Sequence, residues 1–290
     1  MRQRVSIVIP TLGRVHTVKR TIASVLEQTY DNWEIVLVDD SDSVTHNEMS
    51  RLCDLDSRIR IIRGARSGPN KARDLGVRSA AGEYVTLLDS DDLWTSERLA
   101  THLELWESLP GIGLTWDPCL ERGRATQQTL ATPASIGSPR TVIPSALLYA
   151  HLWIRNFIHA SSGFARRRDV LALGGVPDIY PSDWALWLRI ASHHDGAFVD
   201  KSLSIREMDA PSRLSNQRKL MMIHWVNENL TRLSTLQSWN ANLVEPTDGR
   251  DWILIEAYRS PVALLLSRAM KRSGLFDRYS EVLPASSYPA

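Results

Sequence analysis

The fold of this chain is decided by one stretch, Tyr84-Val85-Thr86-Leu87-Leu88-Asp89-Ser90-Asp91-Asp92. Its apolar and β-branched first half predicts a buried strand, and three carboxylates follow within four positions. Because like charges this close repel one another, a cation is expected to neutralise them. Oxygen ligands of this kind suit Mg²⁺ or Mn²⁺, ions that commonly hold the phosphates of a nucleotide. The alternative interpretation is a solvated acidic turn, or carboxylates that cap the next helix.

Strand and helix patterns alternate over residues 1–117. Continuous apolar runs predict strands over 5–9, 33–38, 59–62, 84–88 and 112–116, and periodic apolar stripes predict helices over 15–28, 44–55, 70–79 and 96–107, with Thr95 or Ser96 as the N-cap of the last. Continuous apolar strands separated by helices are typical of a parallel sheet covered on both faces. Ligands of such sheets lie at the carboxyl ends of the strands. Asp39-Asp40 and the carboxylates of 89–92 are therefore expected to share one pocket.

The pattern changes beyond residue 117. Residues 121–144 predict a long loop or an irregular hairpin, after which ordered segments return at 147–158, 167–173, 184–193 and 197–199. Amphipathic helices are predicted over 214–236 and 252–270. We expect residues 1–210 to form one α/β domain and residues 211–290 to form a helical extension. The extension is expected to pack on the domain, with a partner or a membrane surface as the alternative.

Composition excludes several classes of protein. A net charge of +1 over 290 residues gives no global attraction to nucleic acid or to an anionic membrane. Two cysteines cannot form a thiolate zinc site alone, and they do not suggest a disulfide framework. No stretch reaches the roughly 18 apolar residues that a membrane span requires. The first apolar run, Val5–Pro10, is too short for a signal peptide. These features predict a soluble cytoplasmic protein.

Three further segments carry candidate residues. Asp183 begins a predicted helix beside two tryptophans, so it is either a general base or a helix cap. Lys71 and Arg73 lie in the first turn of a helix, where an anion would relieve their repulsion by the helix dipole; solvated side chains are the alternative. Arg206 and Arg213 flank a loop that could close over a pyrophosphate, or could simply be solvated.

Together these segments resemble the family 2 glycosyltransferases, which have the GT-A fold. The resemblance rests on residues 5–11, 21–40, 82–92 and 174–189, and it extends over about 4–117 and 155–206. Two positions depart from the family pattern. The family often has Glu where this chain has Ser182, and the segment 205–209 lacks the usual Tyr-Arg-x-His form.

The resemblance implies a GT-A fold, a Rossmann-like and mostly parallel sheet sandwiched by helices, with a nucleotide-binding half (1–117) and an acceptor-side half (118–210). It assigns nucleotide contact to Pro10 and Thr11, base recognition to Asp39, and base or phosphate contact to Arg73. Asp89 would lie near the ribose and the metal, Ser90 would contact the donor, Asp91 would ligate the metal, and Asp183 would be the general base.

The implied function is metal-dependent, inverting transfer of a sugar from a nucleotide diphosphate donor, most simply a UDP-sugar, to an acceptor hydroxyl. Mn²⁺ or Mg²⁺ is the expected cofactor. The expected acceptor is a glycan, a lipid-linked sugar or a small natural product, and no nucleic acid partner is expected. A homodimer through the C-terminal helices and a peripheral position at the inner membrane face are further expectations.

Two other functions stay open from the residues alone. A sugar-phosphate nucleotidyltransferase uses a similar sheet and similar metal carboxylates, but it normally carries a Gly-rich loop with Lys or Arg after the first strand. Residues 11–14, Thr-Leu-Gly-Arg, match that loop poorly. The other alternative is a non-catalytic protein that binds a nucleotide sugar and uses its C-terminal helices to recruit a partner.

Overall fold

The computed structural model of this chain describes residues 3–123, 127–179 and 181–208. All of them fall within one compact unit, Met1–Val226. The predicted helical extension over 211–290, the homodimer assigned to it, and Arg213 lie outside the described residues. In the described part of the chain, no helix combines the length and the apolar character needed to cross a membrane.

Strands and helices alternate as the sequence patterns indicate. The strands are β1 (Val5–Thr11), β2 (Trp33–Asp39), β3 (Ile59–Arg63), β4 (Tyr84–Leu87), β5 (Asp92–Trp94), β6 (Leu114–Trp116), β7 (Cys119–Arg122), β8 (Gln127–Leu130), β9 (Gly163–Arg166), β10 (Gly196–Phe198) and β11 (Ser204–Glu207). The helices are α1 (Val15–Leu26), α2 (Ser43–Ser50), α3 (Pro69–Ser79), α4 (Arg98–Ser108), α5 (Ser145–Ile154), α6 (Arg167–Ala172) and α7 (Ser182–Ala191). Short 3₁₀ turns occupy Arg51–Leu55, Ala134–Ile136 and Ala160–Ser162.

The central sheet is mostly parallel, as predicted. Its strand order is β10-β6-β9-β4-β1-β2-β3, and only β9 runs antiparallel to its neighbours. A second sheet has the order β5-β11-β7-β8. Because β1 lies between β2 and β4, the carboxylates after β2 and after β4 emerge at the same edge of the sheet on either side of Thr11, which pairs with Asp39.

The two faces of β1 are buried against different helices. Its odd-numbered apolar residues belong to the core cluster that contains the apolar stripes of α1 and α4. On the opposite face, Val8 meets α3 at Gly76, where a Cβ atom would lie 2.3 Å from Val8 Cγ1. Only glycine permits this approach of helix to strand. Burial of both faces explains why these strands read as continuous apolar runs.

Three strands and one helix start differ from the sequence prediction. The pattern did not indicate β5, β9 or β11, because none of these strands contains more than two consecutive apolar residues. The predicted cap of α4 by Thr95 or Ser96 is wrong, since α4 begins at Arg98 and Glu97 precedes it without a side-chain cap bond. The backbone carbonyls of Thr95 and Ser96 instead accept hydrogen bonds from Gln28 Nε2 and Thr29 N.

A buried charged cluster joins the two sheets. The side chains of Arg98, His102 and Asp117 are fully buried, and Asp117 Oδ1 lies 3.1 Å from both Arg98 Nε and His102 Nε2. Asp117 Oδ2 accepts hydrogen bonds from the backbone of Leu203 and Ser204, where β11 begins. Burial and the nearby Arg98 charge lower the pKa of His102 to about 4. Burial alone would raise the pKa of Asp117, but the Arg98 charge keeps it below its ordinary value.

Candidate functional site

The candidate site lies at the carboxyl edge of β2, β1 and β4. Asp39 is fully buried at the end of β2 and accepts hydrogen bonds from the backbone and hydroxyl of Ser41. Its other oxygen, Oδ2, lies 2.6 Å from His46 Nδ1 on α2. Asp40 accepts hydrogen bonds from the backbone N–H groups of Arg66 and Gly68, and so shapes the loop that leads into α3. The assignment of Asp39 to a nucleotide base stays a prediction.

The end of β1 offers an unsatisfied polar atom. Pro10 and Thr11 are both buried. Thr11 Oγ1 has no hydrogen-bond partner among the described residues, although it is inaccessible to solvent. A buried hydroxyl of this kind normally finds a partner, so a ligand oxygen or an ordered water is expected beside it. The position agrees with the predicted nucleotide contact, which stays a prediction.

The acidic turn after β4 separates its three carboxylates. The backbone N–H of Asp92 donates to the carbonyl oxygen of Asp89 at 3.0 Å, which closes the turn. Asp91 Oδ2 lies 3.0 Å from Arg14 Nη1 in an ion pair. Asp92 begins β5 with a buried side chain, so the alternative interpretation of this carboxylate as a cap of the next helix is wrong. Asp89 is partly exposed and contacts Arg73, as described below.

A carboxylate–imidazole group forms where this turn meets the segment before β9. Asp89, Asp92 and His159 each offer one ligand atom, and the three atoms lie within 4.8 Å of one another. Ser161 braces the group, because its hydroxyl donates to Asp92 Oδ2 at 2.7 Å and accepts from the Asp89 backbone N–H at 3.1 Å. Two carboxylates and an imidazole can hold a divalent cation. Asp91, the ligand predicted from the sequence, is not a member of this group.

Arg73 connects this turn to the start of α7. Its guanidinium donates to Asp89 Oδ1 at 2.6 Å and to Ser182 Oγ at 3.0 Å. Ser182 is the first residue of α7, and Asp183, the predicted base, is the second. The side chain of Asp183 is partly exposed, and its role as a base stays a prediction. The Trp184 indole N–H donates to the carbonyl oxygen of Leu152, which fixes the first turn of α7 against α5.

The second sheet brings a further arginine to the site. Arg206 on β11 is in register with Asp92 on β5 and with Glu121 on β7. Its Nη1 donates to Glu121 Oε1 at 2.7 Å. Its Nε is buried and has no hydrogen-bond partner among the described residues. The predicted closing of an arginine loop over a pyrophosphate remains a prediction, since the loop beyond residue 208 is not described.

Sequence reasoning missed several residues of this site. His159 and Ser161 precede β9, a strand that the pattern did not indicate, and His46 and Arg14 carry no local motif. The sequence offered no signal beyond the residue types themselves. An isolated histidine or serine is common in any chain, so the residue type alone does not indicate a site. The place of Ser161 became apparent only in the fold, which brings it into contact with Asp92 and Asp89, 69 and 72 positions away in the chain.

Comparison with known proteins assigns the family. The profile of Glycosyl transferase family 2 matches residues 6–174, more than half of the chain. This chain belongs to that family. The matched span contains the acidic turn, Arg73 and His159, and ends before Ser182 and Asp183.

Several curated relatives of this family 2 member match about a third of its length. It is 38% identical over 104 residues to an uncharacterized glycosyltransferase of Rickettsia felis, covering 36% of this chain and 17% of the relative. It is 36% identical over 102 residues to the Escherichia coli UDP-Glc:alpha-D-GlcNAc-diphosphoundecaprenol beta-1,3-glucosyltransferase WfgD, covering 35% of this chain and 40% of WfgD. An uncharacterized glycosyltransferase of Nostoc sp., alr2836, is 25% identical over 284 residues, which cover 95% of this chain and 83% of that protein.

Solved structures share the fold of this family 2 member. Staphylococcus aureus TarS 1-349 in complex with UDP-GlcNAc superposes with a TM-score of 0.62 at 16% identity, covering 89% of this chain and 73% of TarS. The mannosyltransferase PcManGT from Pyrobaculum calidifontis, in complex with GDP-Man and Mn²⁺, gives a TM-score of 0.60 at 18% identity, covering 97% of this chain and 83% of PcManGT. The predicted GT-A fold is confirmed.

Proposed function

We propose that this protein is an inverting glycosyltransferase that moves a sugar from a nucleotide diphosphate donor to an acceptor hydroxyl. One observation carries the proposal. The contacts from Asp89 through Arg73 to Ser182 bring the carboxylates after β4 close to the helix turn that contains Asp183. A donor held at the sheet edge and an acceptor beside Asp183 would then meet in one pocket.

A divalent cation fits the residues present at this edge. Asp89, Asp92 and His159 supply two oxygen ligands and one nitrogen ligand within 4.8 Å of one another. Mn²⁺ accepts such a mixed set, whereas Mg²⁺ prefers oxygen alone, so we favour Mn²⁺. A bound cation would offset the negative charge that develops on the leaving diphosphate. If Asp91 were the ligand instead, its carboxylate would have to leave its ion pair with Arg14 and bind the cation.

The chain's own residues account for the remaining steps. The Thr11 hydroxyl and the buried edge of β1 would orient the nucleotide, with Asp39 near the base and Ser90 beside the donor. Asp183 would accept the proton of the acceptor hydroxyl while the oxygen of that hydroxyl bonds to the anomeric carbon. The bond from that carbon to the diphosphate breaks on the opposite face, so the configuration inverts. No covalent intermediate with the protein is needed.

The relatives and neighbours suggest the class of donor. WfgD is named for UDP-Glc, and TarS was solved with UDP-GlcNAc. We therefore propose a UDP-hexose or a UDP-N-acetylhexosamine as the donor. The proposed acceptor is a hydroxyl of a glycan, a lipid-linked sugar or a small natural product. We place the protein in the cytoplasm, as a peripheral protein at the inner membrane face if the acceptor is lipid-linked.

The test combines binding and turnover. Thermal unfolding is followed with UDP, GDP, UDP-Glc, UDP-GlcNAc and GDP-Man, each with and without Mn²⁺. A ligand at 100 times its Kd should add about 2.7 kcal/mol to the free energy of unfolding. The donors that bind are then assayed for release of the nucleoside diphosphate in the presence of candidate acceptors. Release of pyrophosphate from UTP and a sugar phosphate would favour a nucleotidyltransferase instead, and binding with no release would favour a non-catalytic protein.

A further inference from the structure

Helix α3 holds the segment that leads to Asp183. We call the described residues between 174 and 182, that is 174–179, 181 and 182, the α7 leader. Four contacts of α3 reach this leader: Asn70 Nδ2 to the Ile179 carbonyl at 3.1 Å, Asp74 Oδ1 to the Val176 N–H at 2.9 Å, Arg78 Nη2 to the Gly174 carbonyl at 2.9 Å, and Arg73 Nη1 to Ser182 Oγ at 3.0 Å. A weaker and exposed ion pair joins Lys71 to Asp178 at 3.6 Å.

The α7 leader approaches α3 very closely. A Cβ atom at Gly175 would lie 2.1 Å from Asp74 Oδ1 and 2.7 Å from Arg78 Nη2. Gly175 also has a φ of +83°, a backbone conformation that residues other than glycine rarely adopt. The leader is therefore fixed against α3 at its start by this approach, and at its end by Arg73.

Arg73 differs from the other contacts because it has a second partner on the donor side. Its residue is 8% exposed, and its Nη2 forms an ion pair with Asp89 Oδ1 at 2.6 Å. Ser182 is fully buried and carries no charge, so it accepts a hydrogen bond without competing for that ion pair. One rigid guanidinium thus fixes the separation between the turn after β4 and the first turn of α7.

We infer that Arg73 is a positioning residue. Through Arg73, the charge and position of the Asp89 carboxylate determine how well the first turn of α7 is ordered. A change in the charge or position of the Asp89 carboxylate therefore alters the hydrogen bond from Arg73 to Ser182. Asp183 is the next residue, so its position depends on a group that belongs to the donor side. The consequence of this coupling for sugar transfer rests on the proposed function, whereas the coupling itself does not.

Hydrogen–deuterium exchange of the ligand-free protein tests the coupling. The readout is the exchange of amides 185–188, which begin with the Ala185 N–H bonded to the Pro181 carbonyl oxygen. Asp89→Ala removes the donor-side partner, and Ser182→Ala removes the α7 partner. Each is expected to raise exchange of these amides about tenfold, the effect of losing one charge-assisted hydrogen bond. Ser182→Thr keeps the hydroxyl and should restore slow exchange.

The control is Arg58→Lys, which alters an arginine in a comparable ion pair with Asp56 at 2.7 Å and away from α7. Exchange of amides 185–188 should not change in this variant. The inference is overturned if Asp89→Ala leaves these amides at the wild-type rate, whatever Ser182→Ala does. It is also overturned if Asp89→Ala acts while Ser182→Ala does not, because the route would then bypass Ser182.

A second readout concerns turnover, and it separates this inference from the proposed function. With UDP-GlcNAc and Mn²⁺, Ser182→Ala should lower kcat for UDP release about tenfold and leave the donor KM within about twofold, because only the base side is loosened. A tenfold rise in KM with unchanged kcat would contradict the positioning role. If the wild type releases no UDP from any donor, the proposed function fails and the exchange result still decides the coupling.

Discussion

At the scale of single residues, the three carboxylates of the acidic turn are not equivalent. Asp89 is paired with Arg73, Asp91 with Arg14, and Asp92 accepts the Ser161 hydroxyl beside His159. A D-x-D pattern alone would treat the first and third positions of the motif as the important pair. The geometry gives Asp92 the buried, braced position that a metal ligand usually has.

Substitution of the carboxylates should separate these roles. Asp92→Asn preserves the shape of the side chain but removes its charge, so it should weaken Mn²⁺ binding about tenfold or more. Asp91→Asn serves as the matched variant and should change the affinity less than about threefold. Calorimetric titration of Mn²⁺ in the presence of UDP measures both. The reverse order of effects would assign the metal to Asp91, as the resemblance implied.

Asp183 should be required for turnover and not for donor binding. Asp183→Asn cannot accept a proton, so kcat for UDP release should fall by about 10²–10⁴-fold. The Kd for UDP with Mn²⁺ should stay within about twofold, because the proposed role of Asp183 is toward the acceptor and not toward the nucleotide. Stopped assays of UDP release and calorimetry supply the two numbers. Near-normal kcat in this variant would remove Asp183 from the mechanism.

At the scale of secondary-structure elements, α4 makes stability depend on pH through His102. The pKa of His102 is lowered from 6.5 to about 4 in the folded protein. Between these values the unfolded chain binds a proton that the folded chain does not bind. The contribution of neutral His102 is therefore complete above pH 6.5 and is lost as the pH falls toward 4, by on the order of 3 kcal/mol.

His102→Gln should flatten this part of the pH profile. Glutamine is neutral throughout, so the loss of unfolding free energy between pH 6.5 and 4 should be smaller in the variant than in the wild type. Denaturant unfolding at four or five pH values measures the slope. His193→Gln, at an exposed histidine, is the matched control and should keep the wild-type slope. Equal slopes in all three proteins would contradict the assignment.

Helix α3 depends on the absence of a side chain at Gly76. Alanine normally stabilises a helix by about 1 kcal/mol relative to glycine, but here its Cβ would lie 2.3 Å from Val8 Cγ1. Overpacking of about 1–3 kcal/mol should exceed that gain, so Gly76→Ala should lower the free energy of unfolding. The double variant with Val8→Ala should be more stable than the sum of the two single effects predicts. Simple additivity would show that the contact does not cause the loss.

At the scale of the whole molecule, the proposed donor site is assembled from distant parts of the chain. If Mn²⁺ and the diphosphate of UDP share this edge of the sheet, each should raise the affinity for the other, by about 5–150-fold. The rise in Tm with both ligands should therefore exceed the sum of the separate rises, and chelation of Mn²⁺ should abolish the excess. Additive shifts would place the two ligands at independent sites.

Much of this architecture follows from local pattern. The runs that became β1, β2 and β4 are buried on both faces, so they appear in the sequence without alternation, and α1 shows its apolar stripe directly. The short strands β5, β9 and β11 could not be predicted, because pairing with neighbours rather than intrinsic pattern makes them strands. The same limit applies to the start of α4, where tertiary hydrogen bonds to Thr95 and Ser96 displaced the expected cap.

The sequence by itself determined the mostly parallel α/β sheet and the edge at which its carboxylates meet, because both depend on the periodicity and order of neighbouring residues. Only the tertiary structure decided which partner each carboxylate has. Arg73 reaches Ser182 across 109 positions, and Ser161 reaches Asp92 across 69. Such contacts are set by the packing of whole elements. Hydrogen bonds between residues this far apart in the sequence leave no trace in the local spacing of residue types.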